Sequence, residues 1–380
     1  MKKKSICFVV SSPFTAKVFL ENHINELSIY YDVYLVANFS GFDKTIFNNF
    51  ALKNIKNIGI ERGISILKDL KVLFLLKKYF NENNFDAVHT VTPKAGLLGI
   101  VSGRFAGIKA RVHIFTGQVW HTKKGLFKFF LKLIDKVIVK SATQILVDGE
   151  SQRQFLINNS IIKVGNSRVL GKGSISGVDV SKFKPDLQIK REVREELGIK
   201  KDEVVFMFLG RMNRDKGISE LTFAFDNILQ NNSKARLLFV GGDEENMIPL
   251  VKKRVSAINK VIFYGVTSQP ERMLQACDIF CLPSHREGFG TSIIEASLLE
   301  KPIICSDTYG LMETILDNET GIRHKVGNRE SLKIAMETLL NDKDLRSKFG
   351  KNARNYVLEY FTSQQITQKW IEFYKEILDV

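Results

Sequence analysis

Short apolar runs alternate with amphipathic helical stretches along the whole chain, and the pattern is played through twice. Nothing else in the sequence restricts the fold as much. Residues 5–10, 32–37, 87–91, 111–116 and 143–147 read as strands, separated by helical segments near 17–28, 64–80, 96–105 and 123–140. Such alternation is the signature of parallel α/β layers. A Gly/Ser-rich passage over 171–179 and a charged stretch over 182–201 then interrupt it. Strand-like runs resume at 203–210, 236–241, 261–264, 279–283 and 302–306, with helices near 217–229, 245–257, 270–276 and 291–300, and an amphipathic segment at 364–378 closes the chain. The expected architecture is α/β: two doubly wound Rossmann-like domains facing across a cleft, over 1–180 and 181–360, with 361–380 crossing back to the first. A length of 380 residues suits two cores of that size. Ligands of such sheets bind outside the carboxyl ends of the strands.

Charge separates the halves. The net charge is +15, and residues 1–180 hold 26 Lys and Arg against 12 Asp and Glu, so nearly all of the excess lies in the first half. A basic half points to an anionic partner. Its sharpest piece is 123–140, where Lys124, Lys128, Lys132, Lys136 and Lys140 recur every four residues beside Leu126, Phe127, Phe129, Phe130 and Leu133. Lys124, Lys128 and Lys132 are the expected contacts with an acceptor or an anionic membrane surface, the competing reading being a solvated face. Lysines interrupt every long apolar run, so no spanning helix is expected. The basic Met1–Lys4 start is followed by too short an apolar run for a signal peptide. Four scattered cysteines fit a reducing compartment rather than a disulfide framework or a zinc site. Basic residues without interleaved aromatic modules argue against a nucleic-acid partner.

The candidate chemistry lies at strand ends of the second half. The run 204–209 leads into Gly210-Arg211-Met212-Asn213-Arg214-Asp215-Lys216-Gly217, placing Arg211 and Lys216 on a glycine-flanked turn before a helix. Two cations there can neutralise a departing diphosphate without a metal. After Pro283 comes Ser284-His285-Arg286-Glu287-Gly288-Phe289-Gly290-Thr291, with Glu295 about one turn into the next helix. The pair Glu287 and Glu295 is suited to vicinal sugar hydroxyls, and the amides of Gly288, Phe289, Gly290 and Thr291 to phosphate oxygens. The ligand suggested is a sugar nucleotide. The one Asp-x-Asp, Asp342-Lys343-Asp344, lies in a charged stretch away from any strand end, and no metal or other cofactor is expected.

These elements resemble the retaining glycosyltransferases of family four, which have the GT-B architecture. The resemblance rests on the Glu287/Glu295 spacing, the Gly210 to Gly217 loop, Gly241-Gly242, Tyr264-Gly265-Val266 and Ser176-Gly177-Val178-Asp179, and it covers essentially the whole chain. It implies that Arg211 and Lys216 bind the diphosphate, Glu287 the donor sugar and Glu295 the ribose, with Gly241 nearby and Gly265, Val266 and Thr267 beside the base. The segments Thr90 to Gly96 and Phe115 to Trp120 are similar to a subgroup that builds capsule or O-antigen units on a lipid carrier. The implied activity is a cytoplasmic, metal-independent transfer of a hexosyl or N-acetylhexosaminyl group, with retention, from a UDP-linked rather than GDP-linked donor to a lipid-linked saccharide at the inner face of the membrane. Two positions depart from the family: Ser11-Ser12-Pro13-Phe14 replaces a glycine-rich loop, and Thr116 stands where a histidine usually precedes the glycine at Gly117. Thr116, His113 and His121 are the candidates for that role. A sugar-nucleotide epimerase and a nucleic-acid-binding protein are the competing readings.

Overall fold

The computed structural model describes residues 3–61, 63 and 65–379. Met1, Lys2, Arg62, Ile64 and Val380 lie outside the described residues, and with them the start of the signal-like N-terminus and the first residue of the helix expected at 64–80. The chain divides into two units, Met1–Gly177 with Ser363–Val380, and Val178–Thr362. The expected boundaries were 180 and 361.

The first unit is a seven-stranded parallel sheet of β1 (Ser5–Val9), β2 (Asp32–Ala37), β3 (Asn54–Asn57), β4 (Ala87–Val91), β5 (Ala110–Phe115), β6 (Gln144–Val147) and β7 (Arg168–Val169). Its order is β3-β2-β1-β4-β5-β6-β7. Alternate residues of β1 feed different cores: Ile6 and Phe8 pack with Leu20, Ile24, Trp370 and Tyr374, while Cys7 and Val9 pack with Val72, Leu76, Leu98 and Ile138. The helix Ser363–Leu378 therefore completes the core on one side of this unit. On the other side the helix Pro93–Phe105 lies between the helices Ile66–Asn83 and Gly125–Ser141. Glycines let it approach the sheet closely: a Cβ on Gly96 would stand 2.4 Å from the His113 ring, and one on Gly99 2.6 Å from the Thr90 methyl.

The second unit has six parallel strands, β8 (Val204–Leu209), β9 (Ala235–Val240), β10 (Val261–Gly265), β11 (Ile279–Leu282), β12 (Ile303–Ser306) and β13 (Gly321–His324), ordered β10-β9-β8-β11-β12-β13. The inner strands β8, β9, β11 and β12 are mainly apolar runs buried on both faces, as covered parallel sheets require. Near the amino ends, Glu203 sits between Arg236 (3.0 Å) and Lys260 (2.8 Å), and these partners hold it down at about 2 against the effect of burial. The chain enters and leaves this unit side by side, with the Val178 amide donating to Phe361 O at 2.9 Å. Among the described residues no helix is long and apolar enough to cross a membrane.

Candidate active site

Three glycines bring the loops after β8, β9 and β11 into backbone contact. Gly241 has φ +137°, and a Cβ there would stand 1.9 Å from Gly210 O; Gly217 has φ +69°, and its Cβ would stand 2.0 Å from Pro283 O. Only glycine meets both the left-handed backbone and the contact. The loop of Lys216 is thereby held against the loop of Glu287. Their side chains form an ion pair that is mostly buried, and Ser284 Oγ donates to the same Glu287 oxygen at 2.8 Å. Two further links fix the register: Arg286 Nε donates to Asp215 Oδ2 at 2.8 Å, and the His285 amide donates to Asp215 O at 2.8 Å. His285 lies 3.6 Å from Glu220, whose hydrogen bond raises the imidazole pKa.

Arg211 does not join Lys216. Its guanidinium is turned to Glu244, at 2.9 and 3.0 Å, and Asn213 Nδ2 donates to the same carboxylate at 3.1 Å. The expected two-cation pair is therefore divided between two carboxylates, and Glu244 is a residue that sequence reasoning missed. Its signal was its place after β9, in the loop that Gly241 presses against Gly210. Glu287 and Glu295 also keep different company: burial raises the partly buried Glu295 to about 7, Lys182 opposes that rise and Glu271 adds to it. A carboxyl poised there can donate or accept a hydrogen bond near neutral pH.

The expected row of phosphate-binding amides is corrected in part. The Gly290 amide donates to Gly310 O at 3.2 Å, where Gly310, at φ +79°, lets its loop approach the Glu287 and Gly288 carbonyls, and the Thr291 amide donates locally to Phe289 O at 2.8 Å. Phe289 is a core side chain, its ring 5.4 Å from that of Phe361. At the end of β10, Gly265 has φ +87° and its carbonyl accepts the Gly241 amide at 2.8 Å; beyond it Val266 is exposed, and Thr267 Oγ1 accepts from the Gln269 amide at 3.0 Å. Asp342 Oδ1 accepts the Leu345 amide at 2.8 Å, which makes it a helix cap.

In the first unit Thr116 follows β5 and is partly buried, its carbonyl accepting from Gln118 Nε2 at 2.7 Å and Gln152 Nε2 at 2.6 Å. His113 is fully buried, with Nδ1 2.8 Å from Thr90 Oγ1, and desolvation lowers it to about 3. It is a neutral core residue closed off by Gly96. The His121 ring packs edge-on against Phe155 at 4.9 Å. Ser11 Oγ lies 3.1 Å from Thr92 Oγ1, and Thr92 has φ +78°, a strained conformation for a β-branched residue at a strand's carboxyl end. The lysine stripe is corrected: Lys128 and Lys132 sit 5.9 and 5.1 Å from the centre of the buried Trp120 ring, so two of the three expected membrane contacts turn toward the protein. Trp120 Nε1 donates in turn to Asp135 at 2.7 Å.

Comparison with known proteins places this geometry. Residues 189–356 match the family described as glycosyl transferases group 1. The capsular polysaccharide biosynthesis glycosyltransferase CapM of Staphylococcus aureus is 32% identical over 323 residues, 84% of each chain. The chain belongs to the group 1 glycosyl transferases. A second relative of this glycosyltransferase is the N,N'-diacetylbacillosaminyl-diphospho-undecaprenol alpha-1,3-N-acetylgalactosaminyltransferase of Campylobacter jejuni, 28% identical over 81% of this chain and 82% of that protein. Among solved structures, Anabaena Alr3699/HepE in complex with UDP superposes with TM-score 0.80 at 19% identity, over 99% of this chain and 100% of that one. Sucrose-phosphate synthase from Thermosynechococcus elongatus gives TM-score 0.83 at 18% identity, over 99% and 100%. These likenesses show the fold of the glycosyltransferase, two parallel-sheet α/β domains of the GT-B class, as the resemblance implied. The relatives are transferases, which disfavours the epimerase and nucleic-acid readings.

Proposed function

We propose that this glycosyltransferase moves a hexosyl or N-acetylhexosaminyl group from a UDP-linked donor to a hydroxyl of a lipid-diphosphate-linked saccharide, with retention and without a metal, at the cytoplasmic face of an anionic membrane. The observation that carries the reading is the Lys216–Glu287–Ser284 cluster between the carboxyl ends of β8 and β11. Glu287 is the group to orient a donor-sugar hydroxyl. Lys216 is the cation to meet charge developing on the departing diphosphate, and Arg211 joins it by exchanging Glu244 for phosphate oxygens. The anomeric C–O bond to the diphosphate breaks as the acceptor oxygen bonds to the same carbon on the same face. The acceptor's proton passes to the departing phosphate oxygen, so no protein carboxylate need act as nucleophile. Glu295 takes the ribose hydroxyls. The lipid-linked acceptor is supported by the Campylobacter relative's name, and the UDP donor by the HepE complex.

The test combines a panel of UDP- and GDP-sugars with a diphospholipid-linked sugar, and NMR of the product's anomeric configuration. An α-linked product from an α-linked UDP-sugar, formed equally in EDTA, is the expected result. An inverted product, or activity that magnesium restores after chelation, overturns the mechanism.

A further inference from the structure

The helix Gly125–Ser141 is apolar on its outer face as well as its inner one. It buries Asp135, Ile138 and Ser141, while Leu126 is 88% exposed and Phe127, Phe129 and Phe130 are also open to solvent. The helix Ile66–Asn83 repeats the arrangement, burying Val72, Leu76 and Phe80 and leaving Leu67 82% exposed, with Ile66, Leu70 and Phe74 beside it. Both helices flank Pro93–Phe105 on the same side of the first sheet. Each begins at the carboxyl edge of that sheet, because each descends from a strand of a parallel layer. The two apolar clusters therefore stand at one end of one face. Single exposed hydrophobes are ordinary, but two helical stripes of them are an interaction surface.

The charge around them selects the partner. Lys71, Lys77 and Lys78 stand exposed on the first helix and Lys136 and Lys140 on the second, with exposed Lys124 just before it. Against them are Glu82, 3.9 Å from Lys78, and Asp69, which Lys94 neutralises at 2.7 Å. An apolar crest with a basic margin matches the interface of an anionic bilayer, where aromatic and aliphatic groups sit among acyl chains and lysines reach the headgroups.

We propose that the helices Ile66–Asn83 and Gly125–Ser141 insert their exposed apolar crests into an anionic phospholipid leaflet, so that the protein is held by buried side chains and not by lysines alone. The inference deepens the membrane placement of the proposed function. It also reassigns the contact, because Lys128 and Lys132 turn to Trp120 while Leu126 and Phe129 face outward.

The test is sedimentation of the full chain with vesicles of phosphatidylglycerol and phosphatidylethanolamine, and of phosphatidylcholine, at about 0.1 M and about 1 M salt, where charges are screened within roughly 3 Å. Wild type should remain on the anionic vesicles at the higher salt. Leu67→Ser with Phe74→Ser, and separately Leu126→Ser with Phe129→Ser, should each weaken partition roughly tenfold or more, since each pair removes two large side chains from the lipid. Unchanged thermal unfolding of these variants separates lost insertion from lost folding. Complete release of wild type by salt overturns the proposal, as does undiminished binding by the combined variant, or a dimer in solution that these same substitutions dissociate. Transfer to a water-soluble, short-chain diphosphosugar should survive in every variant. Failure of wild type in that assay while vesicle binding persists would remove the proposed reaction and leave the insertion standing.

Discussion

Arg211 and Glu244 show how a single carboxylate can set the affinity of a neighbouring site. Both are exposed, so their ion pair is worth about 0–1 kcal/mol. Any anion that takes Arg211 must first displace Glu244. Glu244→Gln should therefore tighten UDP binding by up to about fivefold in calorimetry, with turnover little changed; unchanged or weaker binding would show that Glu244 does not compete. Lys216 and Glu287 belong to a different class, since their pair is mostly buried and touches the reacting groups of the proposed step. Lys216→Ala and Glu287→Ala should each lower kcat by roughly two orders of magnitude or more. Near-normal turnover in either would overturn the assignment. The sequence made Lys216 and Glu287 visible because glycines bracket both loops. Glu244 stayed hidden because its partner lies 33 positions away, a contact that the closeness of Gly241 to Gly210 creates.

Among the elements, the interior strands and the edge strand β10 were legible, and the edge strands β3, β7 and β13 were not. The apolar runs of β1, β4, β5, β8, β9 and β11 announce themselves because a parallel sheet covered on both sides buries nearly every residue. β3 reads Asn-Ile-Lys-Asn, three of its four residues are exposed, and one flank has no neighbour, so no pattern marks it. β7 has two residues and the short β13 carries Arg and His, for the same reason. The basic helix was legible as a helix, but which face turns outward depends on what Trp120 and Asp135 require. The helix Pro93–Phe105 is the most exacting element, since three glycines meet side chains of β4 and β5. Gly96→Val should lift it off the sheet and cost roughly 1–3 kcal/mol by overpacking, seen as a lower urea midpoint. A midpoint equal to wild type would mean that the His113 ring moves aside freely.

On the scale of the molecule, the first unit is closed by a helix from the far end of the chain; of its three buried histidines, His23 and His89 sit in that closure and His113 on the opposite face of the sheet, against Gly96. Trp370 lies between the rings of His23 (4.4 Å) and His89 (4.8 Å), nearly parallel to both. Burial keeps the His23 ring neutral, so that Nε2 donates to Ile175 O at 2.7 Å and Nδ1 accepts from Thr367 Oγ1 at 2.8 Å. Burial lowers His23 to about 4, His113 to about 3, and His89 well below its ordinary value. In the unfolded chain these rings titrate near 6.5. As the pH falls below that value the unfolded chain binds protons that the folded unit refuses. The histidine contribution to stability is thus complete above about pH 7 and declines through the interval down to the folded values, His23 alone accounting for roughly 2 kcal/mol at pH 5, while the buried carboxyls Asp148 and Glu295, raised to about 8 and about 7, work in the opposite direction. Urea titrations at pH 7.5 and 5 of wild type and His23→Gln should show a midpoint difference between the two proteins that shrinks at pH 5, and a difference independent of pH would refute the histidine contribution. The same closure sets an order of birth. Residues 178–362 are interposed between the sheet of the first unit and the helix that roofs it. A ribosome therefore delivers the whole second unit while Phe8, His89 and Ile24 still await Trp370 and Tyr374. Until the last helix emerges, the nascent first unit presents an open apolar floor, a natural place for a chaperone to stand guard.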